Sequence, residues 1–307
     1  MRPLLVLLAV IGLGVAAWVW QPWRGDPPIR SPSGPYVPSG PPRRALVWAV
    51  GDGADGSARA QRVVTRMRRK TFHRLLYLGD VYGAGLLARL LGDGGETDFR
   101  KRYDPVYGAF ADRTAPTPGN HEWPRRDDGY DPYWKEVYGE PPPAYYDFRI
   151  AGWQLLSLNS EAPHGAGSAQ VRWLRRRLSV PGTCRLAFWH RPRYNVGKYG
   201  DMPDVAPLWE ALRGRAKIVV SGHDHNMQRF APIDGVAQYV SGAGGRGLYR
   251  LRRRDPRLAF GSASAYGALR IELRPGRARL AFVSVAGKIL DLSVVRCEPL
   301  RPSQPTA

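Results

Sequence analysis

Ser221-Gly222-His223-Asp224-His225 follows the apolar run Ile218-Val219-Val220. A buried strand that ends in glycine and then offers two imidazoles one residue apart is poorly explained by packing, whereas histidine is the side chain most often used to bind metals. Asp52, Asp80, Asn120, His121 and His190 recur upstream, each just past an apolar segment. Of the six histidines, His121, His190, His223 and His225 fall in such positions. His73 and His164 lack comparable context and read as surface residues.

The elements that must position these groups can be read from apolar runs and their punctuation. Residues 45–50 and 74–78 read as strands that end at Gly51-Asp52 and Gly79-Asp80. Residues 57–70 and 97–110 read as helices, and residues 116–122 as a turn-rich loop carrying Asn120 and His121. A hairpin is expected around Ala151-Gly152 between strands 145–150 and 153–158. Residues 168–178 follow as a helix with Ser168 as N-cap, then strand 183–189 ending at His190. A short helix at 205–212 precedes strand 216–220, which delivers the two histidines. The chain then finishes in β-structure, with segments near 236–240, 268–273, 278–285 and 289–295. Strands alternating with helices, followed by a β-rich end, predict an α/β sandwich with mixed sheets. Open α/β sheets gather functional groups outside the carboxyl ends of their strands, so these residues can converge despite their separation in sequence.

The ordered blocks Gly51-Asp52, Gly79-Asp80, Gly119-Asn120-His121-Glu122, Trp189-His190 and Gly222-His223-Asp224-His225 resemble those of calcineurin-like metallophosphoesterases, most closely the purple acid phosphatase-like enzymes. The resemblance runs from about residue 45 to 295 and implies a four-layer α-β-β-α sandwich of two mixed sheets. It implies that Asp80 bridges two metals. Asp52 and His225 would complete the first site, and Asn120, His190 and His223 the second. Such a mixed nitrogen and oxygen set suits Fe, Zn or Mn better than Ca or Mg. Two ions of this kind clamp the oxygens of a phosphoryl transfer and supply hydroxide near neutral pH. His121, beside a ligand, would protonate the leaving group, with Glu122 or Asp224 orienting nearby imidazoles. Two departures bear on the first site. The histidine that many family members carry two residues after the first aspartate is Ala54 here. The tyrosine that purple acid phosphatases carry three residues after the second aspartate stands one position early, as Tyr82, which either reaches the first metal or packs. Arg191 and Arg193 follow His190 and are candidates for pairing with phosphate oxygens. The Gly242–Gly247 segment lacks the context of a P-loop and reads as a tight turn.

The 307 residues carry a net charge of +20, mostly from arginine. That balance suits a polyanionic partner, but the arginines are scattered, with short runs such as Arg175-Arg176-Arg177 and Arg252-Arg253-Arg254. A solvated surface is the plainer reading, and neither a specific nucleic acid nor a protein partner is expected. Residues 4–20 form an unbroken apolar run without a clean cleavage site, read as a signal anchor or signal peptide that tethers the chain to a membrane if uncleaved. Residues 21–44 are a Pro/Gly-rich linker, 45–297 the catalytic domain and 298–307 a tail. Export is expected, membrane-anchored on the extracytoplasmic side or secreted. Cys184 and Cys297 are too few for a disulfide-dense scaffold, and the sequence leaves open whether they pair. The expected function is acid-phosphatase-like phosphomonoester hydrolysis by metal-activated hydroxide. The alternatives are a phosphodiesterase or nuclease on nucleic acid, and a surface binding module whose metal centre has decayed.

Overall fold

The computed structural model describes residues 43–84, 92–180 and 184–297. The membrane-anchor reading of residues 4–20, nearly all of the linker and the C-terminal tail lie outside the described residues. Among the described residues no helix is long and apolar enough to cross a membrane.

Two mixed sheets face each other. The first has strand order β13-β12-β11-β1-β2-β3 and the second β10-β8-β9-β7-β6-β5-β4. In the first, β1 (Ala45–Val50), β2 (Arg74–Tyr77) and β3 (Thr114–Pro116) run parallel. β11 (Gly267–Arg274), β12 (Arg277–Ser284) and β13 (Ile289–Arg296) extend the sheet beyond β1, each antiparallel to its neighbour. In the second, β5 (Trp153–Ser157), β6 (Cys184–Phe188), β7 (Ile218–Ser221) and β9 (Ala237–Ser241) are parallel neighbours. β4 (Tyr146–Ile150), β8 (Met227–Phe230) and β10 (Leu258–Ser262) complete it by antiparallel pairing.

The central strands are apolar on both faces because both faces are covered. Alternation in β1 sends Ala45, Val47 and Ala49 into the core between the sheets and Trp48 and Val50 outward. On that outer face Val63, Val64 and Met67 of helix α1 (Ala58–Arg68) are buried. In the second sheet Leu155, Phe188 and Val220 point inward. Leu156, Ala187 and Val219 lie beneath Val171, Trp173 and Leu174 of α3 (Ala169–Arg177) and Leu208, Trp209 and Leu212 of α4 (Ala206–Leu212). The result is the expected four-layer α-β-β-α sandwich. The expected N-cap forms, with Ser168 Oγ accepting from Val171 N–H, and Ser57 caps α1 in the same way, its Oγ accepting from Ala60 N–H, satisfying donors the first helical turn leaves open.

Some elements differ from the sequence reading. The helix expected over 97–110 winds irregularly, passing from Glu96–Asp98 through a π turn at Phe99–Tyr103 and α-helical Asp104–Tyr107 to a 3₁₀ turn at Gly108–Arg113. Its regular spacing of aromatics feeds a ring cluster in which Tyr103 touches Tyr77, Tyr107, Tyr133 and Trp134. The last two belong to α2 (Tyr130–Tyr138), a helix not anticipated. Thr114–Pro116, of which only Pro116 fell in the expected loop and for which no strand was expected, pairs with β2 and aims the Asn120 turn at the sheet ends. His164 is not a surface residue: its side chain is 14 % exposed, and its Nδ1 meets the Ala162 carbonyl at 2.6 Å. His73 is exposed as expected.

A candidate metal centre

Each candidate ligand stands just past the carboxyl end of a parallel strand: Asp52 after β1, Asp80 after β2, Asn120 and His121 after β3, His190 after β6, and His223 and His225 after β7. The backbone turns sharply there. Asp52, Asp80 and His223 have φ of 58°, 70° and 67°, a left-handed conformation that costs a non-glycine residue energy and persists where the surroundings enforce it. The neighbouring glycines are required by close approach. A Cβ on Gly79 would lie 2.5 Å from Gly119 N, and one on Gly119 would lie 2.2 Å from Asp80 Oδ1.

The donor atoms converge in two groups that share Asp80. In one, His190 Nε2 lies 3.3 Å from Asp80 Oδ1, 3.1 Å from Asn120 Oδ1 and 3.0 Å from His223 Nδ1. The His190 Nδ1–H donates to the Leu78 carbonyl at 2.7 Å, so Nε2 presents a lone pair. Lone pairs from an imidazole, a carboxylate and an amide therefore face one another, an arrangement a cation relieves. Asp80, His190 and His223 are all buried, with ligand atoms within 4.8 Å of one another. In the other group, Tyr82 Oη lies 3.1 Å from Asp52 Oδ1, 3.0 Å from Asp80 Oδ2 and 2.9 Å from His225 Nε2. His225 Nδ1–H donates to Gly247 O at 2.8 Å, again leaving Nε2 free as a ligand. Asp80 thus turns one oxygen to each group, as a bridging carboxylate must.

Tyr82 reaches the centre through its backbone. Its N–H donates to Ala54 O at 2.9 Å, and Ala54 pairs with Val81. The residue that replaces the family's histidine therefore anchors the tyrosine that stands one position early.

Electrostatics favour the metal-ready protonation states of the histidines. Burial, reinforced by His190, pulls the His223 imidazole down to about 2. Burial likewise brings His225 to about 4, so both are neutral near pH 7. Burial and the adjacent Asp80 push the Asp52 carboxyl well above its usual range. Burial also opposes ionisation of Asp80, but His190, His121 and His223 bring its carboxyl below the usual range. Burial and both aspartates hold the Tyr82 phenol protonated; a bound cation would reverse the sign of these effects.

The groups around the ligands differ from expectation. His121 is held by Asp93, whose Oδ2 lies 2.8 Å from His121 Nδ1, while Nε2 lies 3.7 Å from Asp80 Oδ2. Glu122 orients no imidazole: its carboxylate accepts the backbone N–H groups of Asp80, Val81 and Gly119 and so shapes the Asp80 turn. Asp224 orients none either; it accepts from Asn195 Nδ2, Asn226 Nδ2 and Tyr199 N–H. Arg191 is engaged away from the ligands, with Glu161 at 2.9 Å, Asp204 at 2.9 Å and the Ser160 carbonyl at 2.7 Å. Arg193 stacks on Tyr194, 4.7 Å from its ring centre. Neither guanidinium has a contact with the ligand cluster among the described residues. The Gly242–Gly247 segment, read as a plain turn, borders the centre: Arg246 N–H donates to Asp52 O at 2.9 Å. Asp93, Lys198, Tyr199, Arg246 and Tyr249 had no sequence signal beyond the glycine-rich character of that segment.

Comparison with known proteins agrees with this fold. Purple acid phosphatase 21 from Arabidopsis thaliana is 32 % identical over 135 residues, which cover 38 % of this chain and 31 % of that protein's length. Among solved structures, GAP50, described as the anchor in the inner membrane complex of Plasmodium, aligns with a TM-score of 0.66 at 14 % identity, covering 83 % of this chain and 89 % of that one. Purple acid phosphatase PPD1 from yellow lupin (Lupinus luteus) gives the same TM-score and identity, with 87 % of this chain and 55 % of that one covered. Residues 45–227, spanning β1 to β7 and every candidate ligand, match the family described as Calcineurin-like phosphoesterase, and the chain belongs to that family.

Proposed function

We propose that this protein hydrolyses phosphate monoesters with two transition-metal ions, drawn from Fe, Zn or Mn. Asp52, Asp80, Tyr82 and His225 would hold one ion, and Asp80, Asn120, His190 and His223 the other. The observation that carries the reading is the pair of converging donor groups joined by the two oxygens of Asp80. Metals bound there would supply charge neutralisation for the phosphoryl oxygens and a nucleophile active near neutral pH. The chain's own part is to fix the ligands on strained turns, keep the imidazoles neutral and deliver a proton. His121 is suited to that last role, because Asp93 holds Nδ1–H and turns Nε2 toward the centre, where it can protonate the departing alkoxide.

The test is elemental analysis of the full chain, purified without chelator, beside hydrolysis of a chromogenic phosphomonoester and a diester. We expect two metal ions per chain, a preference for the monoester, and at least a ~100-fold loss of turnover in Asp80→Asn. Turnover of the diester alone, with binding weakened steeply by salt, would replace the monoesterase reading with the nuclease one. No metal and no turnover after reconstitution would leave a binding module.

We also place the protein in an oxidising compartment, as an exported chain. The bond between Cys184 and Cys297 supports this, since disulfides persist chiefly outside the cytosol.

A further inference from the structure

Most arginines near the centre are spent on carboxylates: Arg191 on Glu161 and Asp204, and Arg253 and Arg257 on Asp201 and Asp255. Two cations resting on rings that touch the ligands are not. Arg246 and Lys198 form no ion pair among the described residues, and each rests on an aromatic ring that itself touches the candidate ligands. The Arg246 guanidinium lies 4.5 Å from the centre of the Tyr82 ring, whose hydroxyl meets Asp52, Asp80 and His225. Lys198 Nζ lies 4.3 Å from the Tyr249 ring centre and 4.9 Å from that of Tyr199. Tyr249 stacks on His225 at 3.9 Å and 12°, and Tyr199 on His223 at 4.3 Å and 25°.

An aromatic face holds a cation in place without neutralising it, so both charges stay available to an anion arriving from solvent. Their positions are also fixed. Asp224 ties down the loop of Lys198 through Asn195 and Tyr199 N–H, and Arg246 N–H is bonded to Asp52 O. Lys198 stands a full ring outside the histidines, in the order imidazole, phenol, ammonium. That is too far out to serve a phosphoryl group held by the metals, and well placed for another part of the same substrate.

Resting on the phosphoesterase reading, we propose that Lys198 and Arg246 are specificity-determining residues that select phosphate esters carrying a second anionic group, such as bisphosphates, over esters of neutral alcohols. The ester phosphate goes to the metals, and the second phosphate or carboxylate exchanges water for the ammonium and guanidinium. Charge-assisted contacts of this kind are the stronger class of hydrogen bond.

The experiment is calorimetric binding to the zinc-loaded full chain, with butylphosphonate and tetramethylenediphosphonate as non-hydrolysable mono- and bis-anions, the four-carbon spacer letting the second phosphonate reach past the metals. Each is titrated into wild type, Lys198→Met, Arg246→Met and the double variant, with near-UV circular dichroism confirming the fold. We expect wild type to prefer the bis-anion by about tenfold or more, the worth of one charged hydrogen bond. Each single variant should lose part of that preference, the double variant most of it, and Lys198→Arg should retain it. In turnover, the kcat/KM ratio of fructose 1,6-bisphosphate to fructose 6-phosphate should fall in parallel. Both phosphonates binding with a ratio that the variants leave unchanged would overturn the proposal alone. Neither phosphonate binding to metal-loaded protein would overturn the phosphoesterase reading, and this proposal with it.

Discussion

The Asp93–His121 contact has a consequence that a surface histidine would not have. A general acid matters in proportion to how poor the leaving group is. We expect Asp93→Asn to lower kcat on an alkyl phosphate by about ten- to a hundredfold while changing hydrolysis of nitrophenyl phosphate little, because nitrophenolate leaves without a proton. Equal losses on both substrates would place the dyad outside proton delivery. His225 carries a second residue-scale expectation, for the metal-free protein. Burial holds its imidazole at about 4, against 6.5 for an unperturbed histidine. Between those values the unfolded chain binds more protons than the folded one, so stability rises with pH across the window. His225's contribution is complete above about 6.5 and is lost as pH falls toward about 4, by roughly 3 kcal/mol. Denaturant unfolding of wild type and His225→Gln isolates this share: the gap between them should shrink on acidification, and a constant gap would contradict the assignment.

The strand-end turns were the legible part of the site, because each packs its chemistry into contiguous residues after an apolar run. Gly119-Asn120-His121-Glu122 and Gly222-His223-Asp224-His225 could be read without a structure for that reason. What escaped notice depends on contacts between distant segments. Asp93 meets His121 across 28 positions, Tyr249 reaches His225 through ring stacking and a backbone bond to its carbonyl, and Lys198 rests on the Tyr199 and Tyr249 rings. Tyr82 stayed ambiguous because ligand spacing was counted along one strand end, whereas its placement depends on a bond to Ala54 in the neighbouring turn. Among secondary elements the same division holds. Helices with a regular apolar stripe and a serine cap were found, while the three-residue β3 is too short to show a period. The turns themselves are testable. Gly119→Ala would drive a methyl group into Asp80 Oδ1 at 2.2 Å, so the carboxylate proposed to bridge must move. We expect metal content to fall at both sites together, with a fold loss of ~1–3 kcal/mol. Loss at one site only would show that Asp80 does not bridge.

At the scale of the whole molecule, the centre lies where two sheets meet, and its geometry holds only as long as the sheets keep their register. Asp52, Asp80 and Asn120 come from the first sheet; His190, His223 and His225 come from the second. The core between the sheets supplies most of that cohesion, but Cys184 and Cys297 add a covalent tie. Cys184 opens β6 in the second sheet, and Cys297 follows β13 at the edge of the first. The bond spans a sequence separation of 113 with Cα atoms 5.6 Å apart. Closing so long a loop removes many unfolded conformations, for which the chain-entropy estimate is about 4–5 kcal/mol, with measured losses for native disulfides of about 2–5 kcal/mol. We therefore expect Cys297→Ser to lower stability by that amount, with a matching drop when wild type is reduced. The bond sits at the opposite end of β6 from His190, so metal content and kcat of the folded variant should remain close to wild type. A variant that keeps its stability would mean that the apolar core alone holds the sheets. One that keeps its stability but loses metal would mean that the tie sets the strand register on which the centre depends.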